Sequence, residues 1–388
     1  MKKSNSRANV KKYSKSKKEE KVLLLDRLRE YKDDVLYVQS VMEFVSNNQD
    51  NLYIFGAGDR AQWIGKILRE KNLNFCGYLV DKKYYSPDMK ANMYGGDKEV
   101  YCFEDVLKSD KKINILLGIS ECMLDNSKFA HSNIDKVMSI NLGNRNDYLC
   151  RYEDLAEHRD KLEWLYDNLS DDISREYLFY CLRGRMTGRD FPFAKSDWSD
   201  PEYFINGFIE WNDNECIVDC GAYNGDTVEE FIRKTQDKNI NYKMYAIEPD
   251  SKNYEKLCEK YADKNEIVCV NKATYNKKEI VSFSLDGGEM SAISEGAGIK
   301  IQADTIDNIL GSDKATFIKM DVEGSELQAL MGAHTQIEEN KPRLAICIYH
   351  KLQDFWTIPQ YIKSLRPDYK LYIKTHSTMP TELVLFCL

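Results

Sequence analysis

Short apolar runs alternate with helix-patterned segments twice along this chain, and each series opens on a glycine turn. The turns are "YIFGAGDRA" at Tyr53–Ala61 and "IVDCGAYNGDTVEEF" at Ile217–Phe231. A strand that ends in glycines and runs straight into a helix is the first unit of a parallel α/β sheet. In the first series, "NLYIFG", "FCGYLVD", "EVYCF", "INILLGIS" and "KVMSINLG" read as strands, ending near Cys150. In the second, "ECIVDCG", "YKMYAIEPD", "EIVCVNKATY", "ATFIKMDVEG" and "PRLAICIYH" do so. The last two runs, "YKLYIKTH" and "TELVLFCL", are close enough in sequence to pair as an antiparallel hairpin. An ordinary dinucleotide fold keeps its late strands parallel, so this ending marks a different topology.

The organisation that follows is a basic tail over residues 1–20, a Rossmann-like α/β domain with N-terminal helices over 21–150, a helical connector and loop over 151–203, and a larger α/β domain over 204–388. The 388 residues suffice for two cores. The tail, "MKKSNSRANVKKYSKSKKEE", lacks the apolar stretch of a secretory signal, and no apolar run has the length of a membrane span. Net charge is −8, which argues against nucleic acid as a partner. The 11 cysteines show no zinc spacing and read as reduced thiols of a cytoplasmic protein. Homo-oligomer formation is compatible with all of this.

The downstream turn suits a zwitterion beside a nucleoside. Gly221, Ala222, Asn224 and Gly225 leave room for a ligand against the backbone, and Asp226 and Thr227 open a helix whose amides favour a carboxylate. Asp219 at the strand end suits an ammonium group. Glu248, 27 residues beyond Gly221, closes the second strand, where an acid accepts from ribose hydroxyls, and Pro249 turns the chain away. Asn271, Ala273 and Thr274 end the third strand, beside a nucleobase. The small-residue loop Glu289–Gly298, with Ser291, is placed to close over the site. Ribose, base and amino-acid end group together describe S-adenosylmethionine; a pyrophosphate fits less well, because the G-x-G-x-x-G spacing is missing here.

These stretches, with "FIKMDVEGSELQALMGA" and "ICIYHKLQDFWTIPQYIKSL", resemble the FkbM-type methyltransferase family over about Phe204–Leu388. The resemblance implies a class I methyltransferase fold, S-adenosylmethionine as donor, and a hydroxyl acceptor on a sugar, glycoconjugate or other small polar molecule. It places Asp219, Gly221, Gly225, Asp226, Thr227 and Glu248 at the donor; Asn224 stands where an acid is also common.

Methyl transfer to a hydroxyl needs a base at the strand ends. Asp321 and Glu323 follow the fourth strand, and His350 follows the fifth, four residues before Asp354, which would orient the imidazole. The candidate catalytic set is His350, Asp321 and Glu323, with His376 next in line. Lys319 shares a face with Asp321, reads as its ion-pair partner and stays outside the site. Asp321, Glu323 and His350 could also hold a divalent ion, but nothing in the spacing demands a metal and none is assigned. The upstream turn, with Gly56, Gly58 and Asp81, matches a dinucleotide fingerprint and leaves three readings open: a nucleotide or nucleotide-sugar site, an NAD site, or a sheet used for packing. Two other functions stay in play for the whole chain: an NAD- or nucleotide-sugar-binding enzyme, and a non-catalytic scaffold.

Overall fold

Parallel strands buried on both faces read as nearly continuous apolar runs, and both sheets obey that rule. The computed structural model describes residues 23–32, 36–119, 126–139, 150–187, 203–205, 207–238, 240–284, 292–293, 299–375 and 383–388. Its first part comprises α1 (Leu24–Arg29), α2 (Leu36–Asn47), β1 (Leu52–Phe55), α3 (Asp59–Glu70), β2 (Gly77–Val80), β3 (Val100–Cys102), α4 (Phe103–Val106), β4 (Ile113–Leu117) and β5 (Ile134–Ser139). The five strands are parallel, in the order β3-β2-β1-β4-β5. Leu52 and Ile54 pack with Val41 and Val45 of α2 and Ile64 and Leu68 of α3. Phe55, Leu79, Ile115 and Leu117 fill the opposite face.

Helix α1 does not join that sheet. Its Leu24, Leu25 and Leu28 lie in the same apolar cluster as Leu162, Leu165, Leu178 and Leu182. Those leucines belong to α6 (Arg159–Asn168) and α7 (Asp172–Thr187), which follow α5 (Tyr152–Ala156). The Glu163 carboxylate accepts the amides of Leu24 and Leu25 at 3.0 and 2.8 Å, satisfying donors that a helix start leaves open. Arg27 and Glu176 add a two-pronged ion pair at 2.7 and 2.9 Å. The 21–150 grouping puts this helix with the first sheet; its contacts put it with the helices of the connector.

The second part comprises β6 (Asn214–Cys220), α8 (Asp226–Thr235), β7 (Asn241–Ile247), α9 (Ser251–Lys260), β8 (Ile267–Val270), β9 (Ala273–Thr274), β10 (Glu279–Ser284), β11 (Ala292–Ile293), β12 (Ile299–Asp304), α10 (Ile306–Leu310), β13 (Phe317–Met320), α11 (Glu326–Met331), β14 (Arg343–Cys347), α12 (Asp354–Leu365), β15 (Leu371–Thr375) and β16 (Leu383–Cys387). The main sheet runs β15-β16-β14-β13-β6-β7-β8, with β16 antiparallel to both neighbours, as the hairpin reading expects. A second sheet, β11-β10-β12-β9, leaves the main one between β8 and β13. There the sequence reading had only a loop. Ala292 and Ile293 of that loop form β11; Ser291 and His376 lie outside the described residues. Among the described residues every cysteine is a free thiol, and no helix is long and apolar enough to cross a membrane.

Candidate active site

The carboxyl ends of β6, β7, β13 and β14 converge on one edge of the main sheet. The chain leaves β6 through Gly221, at φ +82°, where a Cβ would stand 1.9 Å from the Asp321 carbonyl oxygen. Glycine therefore lets this turn close onto the end of β13. Gly225, at φ +83°, caps α8; a Cβ there would meet Tyr261 and Leu257 of the α9 region within 2.9 Å. The amides of Gly221 and Ala222 both donate to the Ile247 carbonyl, at 3.0 and 3.1 Å. Ala222 and Thr227 are buried, whereas Asn224 and Asp226 are exposed. Asp226 accepts the Thr227 amide at 2.7 Å, so one donor of the helix start is already in use.

Glu248 faces this turn. Its two carboxylate oxygens accept the amides of Tyr223 and Asp250, each at 2.8 Å. Each oxygen keeps a second lone pair for another donor. The side chain is nearly buried, and burial pushes its pKa up to about 7 against the pull of those amides. Asn271 reaches in from the end of β8 and donates to the carbonyls of Glu248 and Pro249 at 3.0 and 3.1 Å. Ala273 instead continues into β9, pairs with Ala303 and is buried in the small sheet's own core. Of Asn271, Ala273 and Thr274, Asn271 is the one hydrogen-bonded to Glu248.

Asp219 and Lys319 stand directly opposite each other on β6 and β13. Their side chains are buried and lie 3.0 Å apart. Lys319 also donates to the Gly221 carbonyl at 2.8 Å, which ties the ion pair to the glycine turn. Burial raises the Asp219 pKa to about 6, with Lys319 opposing it. For Lys319, burial works against the charge, but Asp219 and then Asp321 outweigh it and the pKa rises. The sequence reading gave this lysine to Asp321; the cross-strand register gives it to Asp219.

His350, after β14, sits among three carboxylates. Its Nε2 lies 3.5 Å from Asp321 Oδ1 and 3.6 Å from Glu323 Oε2, and its Nδ1 lies 2.9 Å from Glu326 Oε1. Glu326 also accepts the amides of Val322 and Gly324, at 3.0 and 3.2 Å, and so shapes the turn that carries Glu323, itself at φ +55°. Burial alone would lower the His350 pKa; Glu326, then Asp321 and Glu323, raise it to about 9. The imidazole is therefore protonated at neutral pH rather than poised as a base. Its orienting acid is Glu326, not Asp354, which accepts the Lys351 amide at 2.9 Å. Glu326 escaped the sequence reading, where it appears only inside the stretch "FIKMDVEGSELQALMGA". Tyr203 was missed too; its hydroxyl donates to Asp321 Oδ2 at 3.3 Å, and Lys319 lies over its ring.

At the upstream turn, Gly56 takes φ +111°, and a Cβ on Gly58 would meet nothing within 4 Å. Asp81, the acid that a dinucleotide fingerprint aims at ribose, instead has both oxygens on Lys128 Nζ, at 2.8 and 2.9 Å. Tyr94 donates to Asp59 in the same region.

The main sheet, with its antiparallel β16 inserted beside β14 and its glycine turn after β6, defines the class I methyltransferase fold. The Methyltransferase FkbM domain matches residues 219–374, and the chain is similar to that domain over this span. The crystal structure of methyltransferase FkbM from Methylobacillus flagellatus KT shares the fold across both parts. It is 24% identical, with 94% of this chain and 99% of that one covered at a TM-score of 0.70. An rRNA methylase from Streptococcus thermophilus overlaps 45% of this chain and 86% of its own at a TM-score of 0.30 and 15% identity, too slight a likeness for any argument. No curated protein matches the chain.

Proposed function

We propose that the chain transfers a methyl group from S-adenosylmethionine to a hydroxyl of a sugar, glycoconjugate or other small polar acceptor. The observation that carries this reading is the Glu248 carboxylate, fixed by two backbone amides beside the glycine turn and still able to accept two further donors. A ribose diol is a ligand of that valence. Asp219, fully buried and paired with Lys319, supports the same turn from within, because Lys319 also donates to the Gly221 carbonyl.

S-adenosylmethionine brings a methyl group already activated on its sulfonium. The chain's own task is then alignment, which is worth about 7–11 kcal/mol in favourable cases. Asp321 and Glu323 stand at the end of β13, where an acceptor hydroxyl would meet them and where a carboxylate takes up its proton. His350, lying between them and Glu326, positions these two carboxylates. Glu326 holds His350. The acid pairing of Asp81 with Lys128 weighs against the rival in which the first sheet carries an NAD-dependent reaction.

Incubating the protein with methyl-labelled donor and a panel of sugars and glycoconjugate precursors tests the reading. One acceptor gains a single methyl mass on oxygen, and the gain is absent with Asp321→Asn. Label appearing only on nitrogen or carbon, or in no acceptor of the panel, would contradict the hydroxyl assignment.

A further inference from the structure

The group around His350 carries more negative charge than its own hydrogens can settle. Asp321 from the end of β13, Glu326 from the first turn of α11 and His350 from beyond β14 each bring a ligand atom within 4.8 Å of the others. With Glu323 alongside, three carboxylates face one imidazole, a net charge of −2 even when the ring is protonated. Lys319 offsets that charge only in part, since its ammonium is paired with Asp219 and donates to the Gly221 carbonyl, and the Lys351 ammonium donates to the Gly324 carbonyl rather than to a carboxylate of the group.

Hydrogen bonding within the group is incomplete in a directed way. Asp321 has one oxygen taken by Tyr203, and its Oδ1 has no hydrogen bond. Glu326 has Oε1 taken by two backbone amides, and its Oε2 has none. Glu326 is 0% exposed. The His350 side chain is 4% exposed, and neither ring nitrogen makes an aligned hydrogen bond; Nδ1 approaches Glu326 Oε1 to 2.9 Å, but off the line that a bond requires. Buried polar atoms are almost always satisfied, and buried unpaired charges are costly. Two leftover carboxylate oxygens and an imidazole with no aligned bond, turned toward one another, are what a cation would complete once it displaces the ring's extra proton.

We infer that Asp321, Glu326 and His350 bind a divalent cation at the end of β13, with Glu323 at its edge. One imidazole and oxygen ligands suit Mn²⁺ or Mg²⁺ rather than a thiolate-seeking metal. Binding of the cation follows from the side chains alone. Its role, holding the acceptor's hydroxyl oxygen opposite the methyl donor and sharpening that hydroxyl as an acid, rests on the proposed methyl transfer.

The probe is Mn²⁺ titrated into the purified full chain, with the free ion read by electron paramagnetic resonance. Loss of free signal saturates at one Mn²⁺ per chain, Mg²⁺ competes, and Asp321→Asn and His350→Ala each weaken binding by about 10–100-fold. Asp321 is the partly exposed member of the group, so its asparagine variant is the one that keeps the fold; donor binding in a parallel titration confirms that it has. Undiminished free Mn²⁺ at equal protein concentration overturns the inference, as does equal binding by both variants and the parent. Mn²⁺ bound here with no binding of S-adenosylmethionine would leave the metal site standing and remove the donor assignment instead.

Discussion

Glu248→Ala is expected to weaken S-adenosylmethionine binding by roughly a hundredfold or more, on the basis of about 1.5–3 kcal/mol for each hydrogen bond to a charged acceptor and two such bonds to a ribose. The alanine also strips the Tyr223 and Asp250 amides of their acceptor, so the turn that should hold the methionine end loosens with it. Calorimetric titration at pH 8 reads the change directly, and Asp81→Ala, at an acid already paired with Lys128, leaves the affinity as it was. The same carboxyl predicts a pH dependence. Burial raises its pKa from the ordinary 4.5 to about 7, so the charged acceptor is lost as pH falls through 7 and donor affinity declines with it. The effect on stability has the opposite sign. A carboxyl that keeps its proton to higher pH in the folded chain than in the unfolded one makes a contribution that falls as pH rises from about 4.5 to about 7. An affinity unchanged by the alanine, or one that improves on acidification, would remove Glu248 from the donor site.

Lys319→Met is expected to cost about 3–5 kcal/mol of folding stability, the usual result of leaving one buried ion of a pair without its partner. Methionine keeps the volume and discards the charge, so packing is not the cause. Asp219 is 0% exposed and has only the lysine as counter-charge at 3.0 Å, and the Gly221 carbonyl loses its donor as well. Urea denaturation followed by circular dichroism measures the loss. Adding Asp219→Asn to Lys319→Met removes the stranded charge and should recover part of it. A single substitution within about 0.5 kcal/mol of the parent would mean that water reaches this pair.

Much of the fold was legible because burial leaves its mark on composition. β13 "FIKM" and β14 "RLAIC" are nearly uniform apolar runs, and the spacing from Gly221 to Glu248 measures one strand–helix–strand unit. The small sheet was not legible for the opposite reason. Val281 in β10 and Ala303 in β12 reach its small core, but Ile280 and Ile299 are exposed, so neither strand carries the continuous apolar run that marks the main sheet. The site divides in the same way. Residues placed by a single element, such as Glu248 and the two glycines, could be found by counting. Those placed by packing could not. His350 and Asp354 are four apart, which suggests one helical turn, but α12 begins only at Asp354, and the acid that reaches the imidazole comes from α11. Lys319 and Asp321 share a face of one strand, yet the neighbour directly across the ladder is Asp219. Periodicity along one strand carries no information about its partner's register.

The account stands on the turn after β6 and Glu248 holding an adenosyl sulfonium, and titrating the protein with S-adenosylmethionine, NADH and UDP-sugars in a calorimeter is the most direct test. One S-adenosylmethionine bound per chain, with neither of the other two competing for it, is the predicted result. Binding of NADH or a UDP-sugar with none of S-adenosylmethionine would contradict the account and move the chemistry to the first sheet.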